Sequence, residues 1–198
     1  LVERGKLLKG QQVFIQAGSG GVGTFAIQLA KHLGATVATT TSTSNVDMVR
    51  RLGADVIVDY KKEDFGTKLS GYDLVLHSQD GAALNKSLTV LRPQGRLISI
   101  SGPPAPDFAV ELGLPWYVKL FARLLSFGVR RRAKRLNKRF SFLFMKASGA
   151  QLQQLTNLIE AGTILPVIDK VFPFQSTNEA LSYVETGRAK GKVVVKVR

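Results

Sequence analysis

Four glycines fall within the six residues Gly18-Ser19-Gly20-Gly21-Val22-Gly23, and their flanks constrain the fold more than any other feature of the chain. Residues 12–16, QVFIQ, form a short apolar strand candidate that runs straight into the glycines. Residues 24–33 then supply Phe25, Ile27, Leu29, Ala30 and Leu33 as the apolar positions of a helix, which Gly34 ends. A G-x-G-x-x-G pattern is weak alone and acquires meaning between a strand and a helix. There Gly18 permits the tight turn, Gly20 lets the backbone approach a pyrophosphate, and Gly23 lets the helix pack closely on the strand. Free N–H groups and the positive end of the helix dipole favour the phosphate charge. A plain strand-to-helix turn needs one glycine, not four.

The rhythm that follows sets the fold class. Residues 36–41 read as a second strand rich in β-branched side chains, and 45–52 as a helix closed by Gly53. Further strands are expected at 56–59, 73–77 and 96–101, with a helix at 82–91 between the last two. Strands separated by helices at this spacing make βαβ units and a parallel sheet. Short, apolar strands imply that helices cover both faces. The expectation is an α/β, doubly wound parallel sheet. After Ser101 the alternation breaks at GPPAPDF and a basic, aromatic stretch. It returns with a helix at 149–161, a strand near 167–172, a capping box Ser176-Thr177-Asn178-Glu179 that opens a helix to 186, and a strand at 192–197.

Composition narrows the class. With 44% apolar and 21% charged residues the chain reads as a globular protein. No apolar run approaches the roughly 18–20 residues that span a bilayer, and the start, LVERGKLLKG, lacks the pattern of a secretory signal. The absence of cysteine rules out disulfides and thiolate metal sites and points to a cytoplasmic setting. Two histidines, with no H-E-x-x-H pattern, make no metal constellation, and no G-x-S-x-G elbow is present. The net charge of +14 is concentrated: ten of the 28 bases lie between Trp116 and Lys146, where there is no acid, and the remaining 18 face 14 acids.

The end of the second strand bears on the choice of nucleotide. A site for NAD places Asp or Glu about 20 residues after the loop to hold the ribose 2′-hydroxyl. Residues 38–46 read ATTTSTSNV, with no carboxylate before Asp47. Hydroxyls and an amide can donate to a 2′-phosphate that a carboxylate would repel, so the expected cofactor is NADPH. No base lies at the strand end itself; Arg50, Arg51 or Lys61 could reach it from nearby.

The stretches AGSGGVGTFAIQLAKHLGA, LGADVIVDYKKEDF, YDLVLHSQDG, LRPQGRLISISG and GRAKGKVVVKV, in this order over nearly the whole chain, resemble the medium-chain dehydrogenase/reductases, in particular the zinc-free quinone oxidoreductase branch. The resemblance implies a Rossmann domain in which Gly18, Ser19, Gly20, Gly21, Val22 and Gly23 hold the pyrophosphate. It implies that Tyr60 lies near the adenosine 2′-phosphate beside Thr41, Ser42 and Asn45, and that Ser101 and Gly102, at the start of a sixth strand, line the nicotinamide side. It further implies reduction of a quinone or an α,β-unsaturated carbonyl, and a homodimer formed through sheet edges. Family members carry a catalytic domain before the cofactor domain, so the resemblance implies that these 198 residues correspond to the cofactor half and the C-terminal return. Residues 1–168 would thus be the NADPH-binding domain, with an insertion at about 103–147, and 169–198 a helix-and-strand return belonging with the catalytic domain. The chemistry would be the cofactor's hydride delivery, and no catalytic residue is assigned. His77 stands where the family usually has aspartate, and reads either as a structural histidine or as a contact to cofactor or substrate.

Three readings of the basic segment stay open: a helix with its apolar stripe on the core and a solvated basic face, attachment to an anionic membrane surface, and nucleic-acid binding. The function classes are likewise two: an NADPH-dependent oxidoreductase, or a non-enzymatic dinucleotide-binding or interaction module.

Overall fold

The computed structural model describes residues 1–197. Six parallel strands form the main sheet: β1 (Gln12–Ile15), β2 (Thr36–Thr41), β3 (Val56–Asp59), β4 (Tyr72–His77), β5 (Leu91–Ser99) and β6 (Arg139–Phe142). Their order is β3-β2-β1-β4-β5-β6. The direction of winding reverses between β1 and β4, and at such a switch point the carboxyl ends of the strands open a crevice. This is the doubly wound architecture read from the sequence.

Pleating explains why β1 is apolar throughout. Val13 and Ile15 belong to one core with Ala26, Ile27 and Ala30 of α1 (Gly23–His32), whereas Phe14 points to the opposite face. There it meets Leu84 and Leu88 of α4 (Gly81–Val90), reached after the two short helices α2 (Val46–Arg51) and α3 (Phe65–Lys68). Phe14 is fully buried, with its ring 5.1 Å from that of Phe65 and 6.3 Å from that of Tyr72.

The basic segment departs from expectation. It contains α5 (Pro106–Glu111), α6 (Trp116–Leu125) and α7 (Phe127–Arg135), followed by β6, which adds to the sheet beside β5. Arg139-Phe140-Ser141-Phe142 is short and starts with a cation, so it carries little strand signal; its pairing with Arg96–Ser99 creates it. β5 begins five residues earlier than expected and ends at Ser99, so Ser101 and Gly102 lie in the turn after the fifth strand, not at the start of a sixth. The Phe65–Lys68 turn was also absent from the sequence reading.

Beyond β6, α8 (Gly149–Glu160) leads to a separate two-stranded parallel sheet of β7 (Ile168–Pro173) and β8 (Lys192–Lys196), joined by α9 (Thr177–Glu185). The capping box expected at the start of α9 does not form. Ser176 ends a 3₁₀ turn and makes no side-chain cap, while the Thr177 hydroxyl donates to the Phe174 carbonyl at 2.5 Å. The preceding turn supplies the acceptor that pulls the hydroxyl backwards. Among the contacts that tie this part to the Rossmann-like body, the Gln28 amide of α1 donates to the Leu165 carbonyl at 3.0 Å and accepts from the Leu165 N–H at 2.8 Å, and the Gly191 N–H donates to the Ser19 carbonyl at 2.9 Å.

Candidate dinucleotide site at the strand ends

The glycine loop joins β1 to α1, and the reasons for its glycines are visible in its packing. A methyl group on Gly18 would lie 2.1 Å from Thr39 Oγ1, which is itself held by donation to the Ile15 carbonyl at 2.6 Å. A methyl on Gly23 would lie 2.2 Å from the Ala17 carbonyl oxygen and 2.6 Å from Gly18 Cα, so the helix could not enter this close to the strand end. On Gly20 the only neighbour would be the Ala17 carbonyl oxygen at 3.3 Å, a slightly tight contact on one side with no other protein atom within 4 Å. The left-handed residue of the turn is Ala17 (φ 51°), not Gly18. Gly18 is thus required for space against Thr39, whereas the turn conformation falls on an alanine that adopts it at a cost.

The loop also presents donors. Among the described residues the backbone N–H groups of Ser19, Val22 and Gly23 meet no protein acceptor, while the Gly21 N–H faces the Gly191 carbonyl across an isolated parallel bridge. They sit at the amino end of the ten-residue α1, which carries no side-chain cap and no acid in its first turn. Unpaired N–H groups with the positive end of a helix dipole are what an anionic oxygen needs. The space above Gly20 and these free donors suit a dinucleotide pyrophosphate. Gly191, Lys192 and the isolated bridge between Gly20 and Gly191 border the loop on its other side, with Lys192 Nζ 5.7 Å from the centre of the Phe25 ring.

On one flank of the loop stands the end of β2. Thr41 is buried and its hydroxyl is sealed by protein without a partner, so it faces the interior. Ser42 Oγ lies 3.2 Å from Ser44 Oγ and accepts from the Asn45 amide at 3.2 Å, which makes a polar rim with Ser44 outermost. Tyr60, 61% exposed, follows at the end of β3, its N–H donating to the Thr41 carbonyl at 3.1 Å. One residue here was missed by reading along the chain. Asp59, register partner of Thr41, brings a carboxylate to this flank from the neighbouring strand. It turns inward: it accepts from the Thr43 hydroxyl at 2.5 Å and from the Lys61 N–H at 3.1 Å, with Lys62 Nζ 3.9 Å away. The Thr43 hydrogen bond first, then the Lys61 N–H and the two lysine charges, hold its carboxyl below the usual carboxylate range. Only strand pairing could reveal it, since 18 residues separate it from Thr41.

On the opposite flank, β4 and β5 end in Ser78 and in the turn carrying Ser101 and Gly102. The Ser78 hydroxyl donates to the Gln16 carbonyl at 3.4 Å, and Ser101 donates to the Gln79 carbonyl at 2.6 Å. Gly102 has φ 89°, a conformation that suits glycine alone. Ser101 and Gly102 are separated from the Ser42 rim by β1 and β4, so the site is elongated: three strand spacings, about 14 Å, with the glycine loop between its ends.

His77 resolves as a structural residue. It is fully buried, with Nδ1 2.8 Å from Ser99 Oγ and Nε2 3.1 Å from the Asp80 carbonyl oxygen. The ring thereby pins the end of β4 to β5 and to the start of α4, where the Asp80 carboxylate caps the Ala83 N–H at 2.8 Å. Burial pushes the imidazole below its ordinary pKa, and the adjoining Asp80 carbonyl and carboxylate oppose this. Among the described residues no three His, Cys, Asp or Glu side chains stand together as a metal cage.

Comparison with known proteins accords with this arrangement. The chain is 35% identical over 205 residues to a trans-enoyl reductase of Aspergillus terreus, covering 100% of this chain and 54% of the relative. It is 33% identical over 191 residues to an NADPH-dependent alkenal/one oxidoreductase of Arabidopsis thaliana chloroplasts, covering 94% of this chain and 40% of the relative. It is also 35% identical over 193 residues to a mitochondrial NAD(P)H oxidoreductase of Danio rerio, covering 94% and 49%. The quinone oxidoreductase of Coxiella burnetii superposes with a TM-score of 0.83 at 28% identity, covering 100% of this chain and 56% of that structure. The chain spans about half the length of the curated relatives it matches. The glycine loop and its free donors fit the nicotinamide dinucleotide such proteins use. Residues 52–195 match the family described as zinc-binding dehydrogenase, and the chain belongs to that family, as a cofactor-binding half of the medium-chain dehydrogenase/reductase superfamily.

Proposed function

We propose that this chain is the NADPH-holding half of an oxidoreductase that reduces a quinone or an α,β-unsaturated carbonyl. The observation that carries the choice of nucleotide is the rim after β2. Ser42 and Ser44 line the rim, the Asp59 carboxylate of the neighbouring strand is turned in and taken by Thr43 and Lys61, the exposed Asp47 carboxylate is paired with Arg50, and the Lys61 and Lys62 side chains are exposed just beyond Asp59. Hydroxyls and lysine charges attract a 2′-phosphate. Several relatives bear names of enone or quinone reductases, which favours an electron-poor double bond as hydride acceptor.

The bound nicotinamide would supply a hydride, two electrons with one proton, and a second proton from solvent or a protein acid would complete the reduction. The part of this chain is to position the ring near Ser101 and Gly102 by anchoring the phosphates at the glycine loop, about two strand spacings away. The substrate side of the cleft would come from the catalytic domain that precedes the cofactor domain in such relatives.

Titration of the isolated chain with each nucleotide, followed by nucleotide fluorescence, tests the reading. NADPH is expected to bind at least about tenfold tighter than NADH, as loss of one charge-assisted contact would require. Equal affinities, or no binding, overturn it. Rapid NADPH-dependent reduction of a quinone by this chain alone would refute the shared cleft.

A further inference from the structure

The strongest unexplained feature lies away from the dinucleotide site, on α6 and α7. Ala122, Ser126, Val129 and Ala133 are buried and follow one another at intervals of four, three and four residues, so a single line of small side chains seats both helices on the protein. Everything opposite that line faces outward. On α6 this outward face consists of Trp116 (76% exposed), Tyr117, Leu120, Phe121 and Leu124, all exposed. On α7 the same face carries Arg131, Lys134 and Arg135, also exposed. Between α6, α7 and the start of β6, Arg123, Phe127, Arg130, Lys134, Lys138 and Phe140 border an open hollow of about 560 Å³.

None of the ten bases between Trp116 and Lys146 lies within 4.0 Å of a carboxylate among the described residues. Clustered cations without counter-charges repel one another, and an apolar helix face in water forgoes the gain of burial. One environment relieves both. Amphipathic helices with aromatic and leucine side chains beside Arg and Lys settle at the boundary between headgroups and acyl chains of an anionic bilayer. We propose that α6 and α7 dock this protein on an anionic lipid surface, with Trp116, Phe121 and Leu124 entering the boundary and Arg131, Lys134 and Arg135 meeting the headgroups. Nucleic acid fits less well: the cations and rings would serve, but Leu120 and Leu124 offer a phosphodiester nothing to contact.

Trp116 is the one tryptophan in the chain and so reports on this face without labelling. The 198-residue chain is mixed with vesicles of phosphatidylcholine alone and with vesicles about one third phosphatidylserine. Docking predicts co-sedimentation with the anionic vesicles, a shift of Trp116 emission to shorter wavelength, quenching by brominated acyl chains, and release by high salt. Each basic side chain near such a surface contributes roughly fivefold, so the triple variant Arg131→Ser/Lys134→Ser/Arg135→Ser should bind roughly 100-fold more weakly. Phe121→Ser/Leu124→Ser keeps every charge and should lose the brominated-lipid quenching. Equal binding to neutral vesicles overturns the proposal, as does co-sedimentation without a Trp116 shift. Emission already at short wavelength in buffer, lengthening on dilution, would assign the face to a second copy of the chain instead. Tighter binding to duplex DNA than to anionic vesicles would assign it to nucleic acid.

Discussion

Adding one methyl group at Gly23 and one at Gly20 separates the structural from the binding duty of the loop. At Gly23 the new Cβ would sit 2.2 Å from the Ala17 carbonyl oxygen, whereas ordinary contact begins at 3.4 Å, so backbone must yield by the difference of 1.2 Å. Its neighbours are backbone atoms of Ala17 and Gly18, which no side-chain rotation can move. Overpacking of this kind costs about 1–3 kcal/mol, from which up to about 1 kcal/mol of improved helix propensity is recovered. A net loss of about 1–2 kcal/mol lowers Tm by roughly 2–8 °C in a chain of this size. Gly20 has a negative φ and its added Cβ would meet only the Ala17 carbonyl oxygen, 0.1 Å inside ordinary contact, so Gly20→Ala should shift Tm by no more than a few degrees, the small contact offsetting the loss of unfolded-state freedom. Dinucleotide affinity should move the other way: Gly20→Ala puts a methyl where the pyrophosphate approaches and should weaken binding at least about tenfold, on the order of 1.4 kcal/mol. Calorimetric unfolding with and without nucleotide, together with nucleotide titration, measures both quantities. A Gly23→Ala protein as stable as the parent, or a Gly20→Ala protein that binds as tightly, would refute the account of the loop.

Three further outcomes follow from single residues. Ala17→Gly removes the cost of φ 51° and should raise stability by about 1 kcal/mol in thermal unfolding. His77 holds its proton less readily folded than unfolded, so its contribution to stability is complete above its ordinary pKa of 6.5 and is lost as pH falls below that value toward the lower folded pKa. His77→Asn should flatten this part of the stability–pH curve, and an unchanged acid limb would count against the buried ring as its source. Phe14→Ala deletes a fully buried ring packed on Phe65 and Tyr72 and should cost about 3–5 kcal/mol by denaturant titration.

Local pattern was enough for much of this protein. Val13–Ile15 followed by glycines and a helical period is a signal carried within a few residues, because the sheet and its helices cover each other through alternation of period two and period 3.6. The parallel, doubly wound sheet and the place of the glycine loop followed from it. Elements created by partners at long range were another matter. Arg139–Phe142 is a strand because Arg96–Ser99 offers it an open edge. Asp59 joins the rim of Ser42 and Ser44 because β3 lies beside β2, and Gly18 is needed for space because Thr39 of the neighbouring strand fills the room beside it. The basic segment divides in the same way. Its charge was plain from composition, but whether its aromatic side chains would be buried was not, since that depends on which residues line the seat. Ala122, Ser126, Val129 and Ala133 take that seat, and small side chains at the contact leave the large ones outside. The chain's own order determined the cofactor scaffold, while contacts between residues far apart in sequence decided which charges and rings face outward.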